Sequence, residues 1–364
     1  MNVLAFNHDS GLYGAQRSLL SLLLGLQEKG HEILLCMPTQ GLAFNEAWDQ
    51  GIRTEVVTYP RPMGGIKNLL KFIVESAESS KQIQQMTKDF KPNAVIYNTV
   101  ACLAPAIALR KSGYRKIWSI REMSPMLKIM SRVIYNLSDI SVANCSYVSD
   151  QYNYLQKRHH MTTVFNGISI KQNLNTDYRN THEQKERPIV FFLGYLGKHK
   201  DPMTLLNATK TLLDKKIYFD LFIFGDGCLK TTIELFIEQH KLSEHVHLMG
   251  FQKNMIDHMA VADIIVIPSA VEPFPRVGLE AMALSKPIIG SRVGGICLQV
   301  EENLTGYLFS SGNAPELAEK MGKLIQCQEL RERFGKAGKV KQEREFSEEA
   351  YISNYEKIIF GLKD

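Results

Sequence analysis

The chain has 364 residues, of which 45% are hydrophobic and 22% charged, with a formal net charge of +5. That length is too great for one comfortable core and implies two domains, while no apolar run approaches the roughly 20 residues of a membrane-spanning helix. Six scattered cysteines form no Cys-x-x-Cys pair and read as reduced structural thiols. The ten histidines show no metal spacing, and basic residues are not interleaved with aromatics, so neither a metal site nor a nucleic-acid partner is expected.

The first segment, 3–7, is an apolar strand. No basic segment or cleavage site precedes it, so the expected compartment is the cytoplasm. A loop with Gly11 and Gly14 follows. A leucine-rich helix comes next (Leu19, Leu20, Leu22, Leu23, Leu24, Leu26), stopped by Gly30 at its C′ position, and then a strand at 32–37. Two later stretches, 66–73 with Lys67 and Lys71 and 126–135 with Lys128 and Arg132, mix apolar and basic side chains at helical spacing. Interfacial helices do this, and so do core-facing helices with a lysine-bearing outer face. Residues 1–170 hold 18 Lys+Arg against 12 Asp+Glu, the remainder 25 against 26. An excess confined to the first half suggests an anionic membrane surface or polyanion as its partner.

The polar run 171–187 reads as a linker. After it the opening plan repeats: strand 188–193, loop 194–201, helix 202–213 with proline at its start, and strand 219–224. Strands alternating with helices imply parallel, helix-covered sheets, and two such starts about 190 residues apart imply two Rossmann-like domains. The expected divisions are 1–170, 188–342, and a final segment 343–364. Tyr351, Ile352, Tyr355, Ile358, Ile359 and Leu362 in that last segment recur at helical spacing.

The chemistry-bearing feature is a pair of glutamates, Glu272 and Glu280, lying between the apolar runs 264–268 and 287–290. A carboxylate accepts two hydrogen bonds and suits vicinal hydroxyls, so Glu280 can hold a ribose and Glu272 a sugar. Glu280 is expected at a helix start, where the macrodipole favours it. The backbone amides of 274–278 between them are expected to donate to phosphate or sugar oxygens. An ordinary loop acid followed by a helix acid has the same spacing. Gly11 and Gly14 lack the full Gly-x-Gly-x-x-Gly pattern of a dinucleotide site.

The flanking residues resemble retaining glycosyltransferase family 4, of the bacterial surface-polysaccharide type, with its Glu-x7-Glu signature. The similar elements are Ala262-Asp263, Glu280-Ala-Met-Ala, Lys286-Pro287, Gly294-Gly295, Thr305-Gly306, Asn166-Gly167 and Gly225-Asp226-Gly227. The resemblance implies the α/β GT-B fold, two Rossmann-like domains with a donor cleft between them, and a last helix that crosses back to the first domain. It implies Lys200 on the donor diphosphate and Glu272 on the transferred sugar as the catalytic pair. It also puts the donor against Glu280, Tyr195, Gly225, Gly227, Phe274, Arg276 and Val277, with Gly14 on the N-terminal loop facing it. Arg121 and Glu122 fall on the acceptor side, where the family has a histidine before an acid.

The implied donor is a UDP- or GDP-sugar, and the implied acceptor a glycan or lipid-linked hydroxyl. No cofactor or metal is implied, because Lys200, amides and helix dipoles hold the leaving diphosphate. The implied transfer is front-face, with the leaving phosphate helping to deprotonate the acceptor. The chain departs from the pattern at Tyr195, where the family has arginine, and at Pro275 and Leu298. These departures keep open a catalytically weak nucleotide-sugar binding protein; a GT-B sugar-nucleotide epimerase is a further alternative.

Overall fold

A computed structural model describes residues 1–62, 66–123, 132–152, 160–170, 187–252 and 255–362. The expected linker, apart from Arg187, and residues 126–131 of the second amphipathic stretch lie outside these. The described chain forms two compact units, Met1–Gly167 with Glu348–Asp364, and Ile168–Ser347.

The first unit is built on seven parallel strands: β1 (Asn2–Asn7), β2 (Glu32–Met37), β3 (Arg53–Val56), β4 (Ala94–Asn98), β5 (Arg115–Ile120), β6 (Ile140–Ala143) and β7 (His160–Thr163), in the order β3-β2-β1-β4-β5-β6-β7. β1 is central, with Val3 in register with Ile33 on one side and Ala94 on the other. Val3, Leu4, Ala5 and Phe6 are all fully buried, as expected of a parallel strand covered on both faces. The connecting helices are α1 (Gly14–Glu28), α2 (Leu42–Asp49), α3 (Ile66–Phe90), α4 (Leu103–Ala108) and α5 (Ser146–Asp150). α1 buries Leu19, Leu20, Leu22, Leu23 and Leu26 and ends at the C-cap Lys29, with Gly30 at C′ in the left-handed region, φ +84°.

The second unit has six parallel strands: β8 (Ile189–Leu193), β9 (Asp220–Phe224), β10 (Val246–Gly250), β11 (Ile264–Ile267), β12 (Ile288–Ser291) and β13 (Gly306–Phe309), in the order β10-β9-β8-β11-β12-β13. Its helices are α6 (Pro202–Asp214), α7 (Lys230–Gln239), α8 (Met255–Val261), α9 (Arg276–Ala283), α10 (Ile296–Gln299), α11 (Ala314–Gln326) and α12 (Gln328–Glu345). The start of α6 is fixed by Asp201, which accepts from Thr204 N at 3.3 Å, and by Pro202 in the first turn.

The last helix, α13 (Glu348–Phe360), joins the first unit's core through Tyr351, Ile352, Tyr355 and Ile359. The return to the first unit thus comes at Glu348, later than the expected residue 343, because α12 runs unbroken to Glu345 within the second unit. α13 is held tightly. A Cβ added at Gly25 of α1 would lie 2.1 Å from Ile352 Cδ1, Tyr351 OH donates to Ser18 O (3.1 Å), and Tyr355 OH lies 2.9 Å from Ser119 Oγ.

One backbone position stands out. Thr99, immediately after β4, has φ +80°. For a β-branched residue this costs about 1–3 kcal/mol and persists only where its surroundings enforce it. Thr99 N donates to Ser119 O (3.0 Å), and Thr99 O accepts from the buried Trp118 Nε1 (2.8 Å), which together fix the peptide.

Candidate active site

In each sheet the strand order reverses beside the first strand, between β1 and β4 and between β8 and β11. Ligands of doubly wound sheets bind outside the carboxyl ends of the strands at such a point. In the second unit the loops leaving β8, β9 and β11 carry Tyr195, Lys200, Gly225, Gly227, Glu272 and Phe274.

Two of these loops pack backbone to backbone. A Cβ on Gly225 (φ +132°) would lie 1.9 Å from Gly194 O, and one on Gly227 2.5 Å from Leu196 O. Leu196 N donates to Asp226 O (2.9 Å), and Leu229 N to Leu196 O (2.9 Å). The glycines therefore serve first to let these loops touch, which shapes the platform that Lys200 leaves from.

Lys200 and Glu272 meet directly. The Lys200 ammonium is ion-paired with Glu272 Oε2, which also accepts from Ser269 Oγ at 3.1 Å. Glu272 is buried and Lys200 partly so. Ser291 Oγ in turn donates to Ser269 O (2.5 Å), and the His199 carbonyl accepts from Ala270 N (2.9 Å). The resulting Ser291–Ser269–Glu272–Lys200 network joins β12, the loop after β11 and the loop after β8. Ser269, Ser291 and His199 were not singled out from the sequence; a serine three residues before a loop glutamate is too common to signal this.

Tyr195 takes no part in that network. Its ring, half exposed, stacks on His199 with centroids 5.8 Å apart. Burial, then the neighbouring Lys200 charge, lowers the His199 pKa.

Glu280 is the fifth residue of α9, one turn beyond the helix start expected for it, because Pro275 is the N-cap. The macrodipole therefore does not act on it in the first turn. Its partner is Arg276, whose Nε donates to Glu280 Oε1 at 2.9 Å, while Arg276 Nη1 is buried without a hydrogen-bond partner among the described residues. The free amides are also fewer than expected. Pro275 has none, and Gly278 N donates to Pro275 O (3.2 Å). Among the described residues no acceptor meets the N–H groups of Arg276 and Val277, which open the helix. Gln299 Nε2 fixes this turn by donating to Pro275 O (2.8 Å), and Phe274 packs edge-on against Phe346.

The remaining expected residues belong to the first unit. Gly14 is exposed at the start of α1. Arg121 is buried, and its three nitrogens are committed within the fold: Nε to Asn98 Oδ1 (2.9 Å), Nη1 to Asn166 Oδ1 (2.5 Å) and Nη2 to Tyr351 OH (2.9 Å). It fastens α13 to the sheet through Tyr351. Glu122 stands beside it, accepting from Arg121 N at 3.1 Å. Burial raises its carboxyl pKa against the hydrogen bonds that lower it.

Among the described residues no group of three or more His, Cys, Asp or Glu is placed to hold a metal ion, and no helix is long and apolar enough to cross a membrane.

Comparison with known proteins agrees with this architecture. The Glycosyltransferase Family 4 model matches residues 13–172, and the Glycosyl transferases group 1 model matches residues 175–341. N-acetyl-alpha-D-glucosaminyl L-malate synthase of Bacillus anthracis is 25% identical over 243 residues, 65% of this chain and 64% of that one. An uncharacterized glycosyltransferase of Methanocaldococcus jannaschii is 34% identical over 175 residues, 48% of each chain. The chain thus matches between about half and two thirds of the length of these curated relatives. The crystal structure of Anabaena HepE in complex with UDP-glucose has the same fold, with a TM-score of 0.83 and 19% identity over 100% of both chains. With one family model on each half and two parallel-sheet Rossmann-like units, the chain belongs to glycosyltransferase family 4 and has the GT-B fold.

Proposed function

We propose that this chain transfers a sugar, with retention of anomeric configuration, from a nucleoside-diphosphate donor to a hydroxyl of a glycan or lipid-linked acceptor in cell-surface polysaccharide or lipopolysaccharide synthesis. The observation that carries this reading is the Lys200–Glu272 pair at the carboxyl ends of β8 and β11, with the N–H groups that open α9, unpaired among the described residues, following in the same loop. A cation and helix-start amides suit a diphosphate. Two nearby carboxylates suit the hydroxyls of a ribose and a sugar.

In this account Glu280 accepts from the ribose hydroxyls, Lys200 and the Arg276 and Val277 amides hold the diphosphate, and Glu272 orients the transferred sugar. Stabilisation of the departing diphosphate by fixed donors grows as its charge develops, so it acts on the transition state. The two glutamates are binding groups, not the acid and nucleophile of a glycosidase. The leaving phosphate helps to take the acceptor proton. Lys200 supplies the countercharge, so transfer is expected without a divalent ion.

The expected site of action is the cytoplasmic face of a membrane. On α3, Leu70, Ile73 and Val74 are exposed beside Lys71, while Phe72, Ile83, Met86 and Phe90 turn inward. An exposed apolar ridge with lysine on a basic unit suits an anionic lipid surface.

The test is product analysis by NMR with UDP-sugars first, since a protein of this fold crystallised with UDP-glucose, then GDP- and ADP-sugars. Retention at the anomeric carbon in EDTA supports the proposal. Donor binding without transfer across an acceptor panel supports the binding-protein alternative that Tyr195 motivates. Free nucleoside diphosphate released without any acceptor requirement, with an epimerised sugar, supports the epimerase alternative.

A further inference from the structure

We propose that His199 is a second, proton-dependent cation for the donor diphosphate: its imidazole takes up one proton from solvent as the diphosphate binds and returns it when the diphosphate leaves. The inference rests on the glycosyltransferase reading and adds to its donor site a residue that the sequence does not single out.

The loop after β8 places the ring. His199 stacks on Tyr195 with 17° between the ring planes, and both rings crowd Gly197. A Cβ added at Gly197 would lie 2.7 Å from Tyr195 Cε1 and 3.4 Å from His199 Nδ1, so the missing side chain leaves room for the stack. The His199 carbonyl accepts from Ala270 N (2.9 Å) and Val271 N (3.3 Å), which ties the residue to the loop that carries Glu272. The side chain is exposed, and among the described residues its ring nitrogens meet no hydrogen-bond partner. The N–H groups of Lys198 and His199 likewise meet no acceptor among the described residues. An imidazole and two amides with no protein partner, next to Lys200 in the chain, suit an anion.

The charge count points to the same group. Both cations placed for the donor are already matched by a carboxylate, Lys200 by Glu272 and Arg276 by Glu280. A nucleotide sugar's diphosphate is substituted at both ends, so it lacks the phosphate ionisation near about pH 6 and stays a dianion. Lys198, the remaining cation of the loop, is exposed, and its ammonium has no hydrogen bond or ion pair among the described residues to fix it. Two charged groups act on the His199 ring, Lys200 from its own loop and Glu272 from the loop after β11. Partial burial, then Lys200, holds its pKa below the usual 6.5, while Glu272 acts in the opposite sense. The free ring is therefore mostly neutral at pH 7. An anion brought within about 4–6 Å favours the imidazolium, and so does the face of the Tyr195 ring. Histidine is the side chain that can make this change near neutrality.

The experiment is an NMR pH titration of the full chain labelled at histidine Cε1, in EDTA. It is run free, with UDP-, GDP- or ADP-glucose, whichever binds, and with inorganic pyrophosphate. The His199 signal is identified by its absence from His199→Gln. The bound donor should move the His199 titration to higher pH. Calorimetry should show donor affinity rising about five- to tenfold from about pH 8 to about pH 5.5, as a difference of about one pKa unit between free and bound protein requires. His199→Gln should bind as wild type does at the alkaline end, which also reports that it folds, and should lose the rise. His199→Arg, a cation throughout, should bind at the alkaline end about as tightly as wild type does in acid. A His199 signal that the bound donor leaves unmoved, or a rise in affinity that survives in His199→Gln, overturns the proposal. If none of the three nucleotide sugars binds, the glycosyltransferase reading fails first and pyrophosphate decides the role of His199. A titration moved to higher pH upholds that role toward a diphosphate, and an unmoved one overturns it.

Discussion

The Lys200 ammonium and the Glu272 carboxylate, the two groups expected to act on the donor, are bonded to each other. Their charges offset one another before a donor arrives, and Ser269 holds the same carboxylate oxygen. A diphosphate entering the site gives Lys200 a second anion, and sugar hydroxyls can take up what Glu272 loses. The pair thus keeps both groups oriented without leaving either charge buried alone.

Removing the two partners should therefore have different consequences. Glu272→Ala frees Lys200 for the diphosphate but leaves the sugar unoriented, so kcat should fall about 100-fold with less than tenfold change in donor affinity. Lys200→Ala should weaken both, because a charge-assisted hydrogen bond contributes about 1.5–3 kcal/mol. It should also lower the melting temperature, since Glu272 is only 7% exposed and keeps only Ser269, although Lys200 itself is 25% exposed and solvent softens the loss. Steady-state kinetics with calorimetry separates the cases, and equal, unaltered turnover in both variants would sink the assignment.

Glu280 should report on the ribose alone. Glu280→Ala is expected to weaken binding of a nucleoside diphosphate about 10–100-fold and to leave inorganic pyrophosphate binding within about threefold, because pyrophosphate carries no hydroxyls for it. Arg276→Met tests the buried Nη1 that has no hydrogen-bond partner among the described residues. A parallel loss of pyrophosphate binding there would make Arg276 the substitute for the arginine missing at Tyr195.

The strand–helix plan was legible because its signals are local. The expected strands 3–7, 32–37, 188–193 and 219–224 match β1, β2, β8 and β9 to within one residue at each end, and Pro202 marks the start of α6. Periodic apolar runs and glycine or proline punctuation fix such elements before any tertiary contact forms. Partner choice was not legible. Spacing put Glu280 near a helix start but could not show that Pro275 sets the N-cap five residues earlier, nor that Arg276 lies one turn back to pair with it. Arg121 was expected on the acceptor side only through the family resemblance, where a histidine precedes an acid; its partners Asn98, Asn166 and Tyr351 are 23, 45 and 230 positions away. The His8–Thr99 contact spans 91 positions and depends on a positive φ that no threonine signals.

Two glycines make quantitative stability tests. Gly225→Ala places a Cβ 1.9 Å from a backbone carbonyl at φ +132° and should destabilise the second unit by more than about 2 kcal/mol. Gly25→Ala instead meets Ile352 Cδ1, the end of a flexible side chain. It should cost about 1 kcal/mol net of the helix propensity gained. Ile352→Val removes that methyl, so the double variant should be more stable than the sum of the single losses. Strict additivity in denaturant melts would contradict the packing described for α1 and α13.

Acid should weaken the fold partly through His8 and His199. Burial lowers both from the usual 6.5. The unfolded chain therefore takes up protons first as pH falls, and stability is lost from about pH 6.5 down to the folded pKa values. Above pH 6.5 neither residue contributes a slope. His8→Gln should flatten the stability curve below pH 6.5 relative to wild type in pH-dependent denaturant melts; parallel curves would mean that His8 is not buried as described.

The most direct test of the central claim is a calorimetric titration of the wild-type chain with UDP-, GDP- and ADP-sugars in EDTA, repeated with Glu280→Ala. The account predicts that one nucleotide class binds with EDTA present and that the substitution weakens it about 10–100-fold. Binding by none of them, or binding that EDTA abolishes, would contradict it.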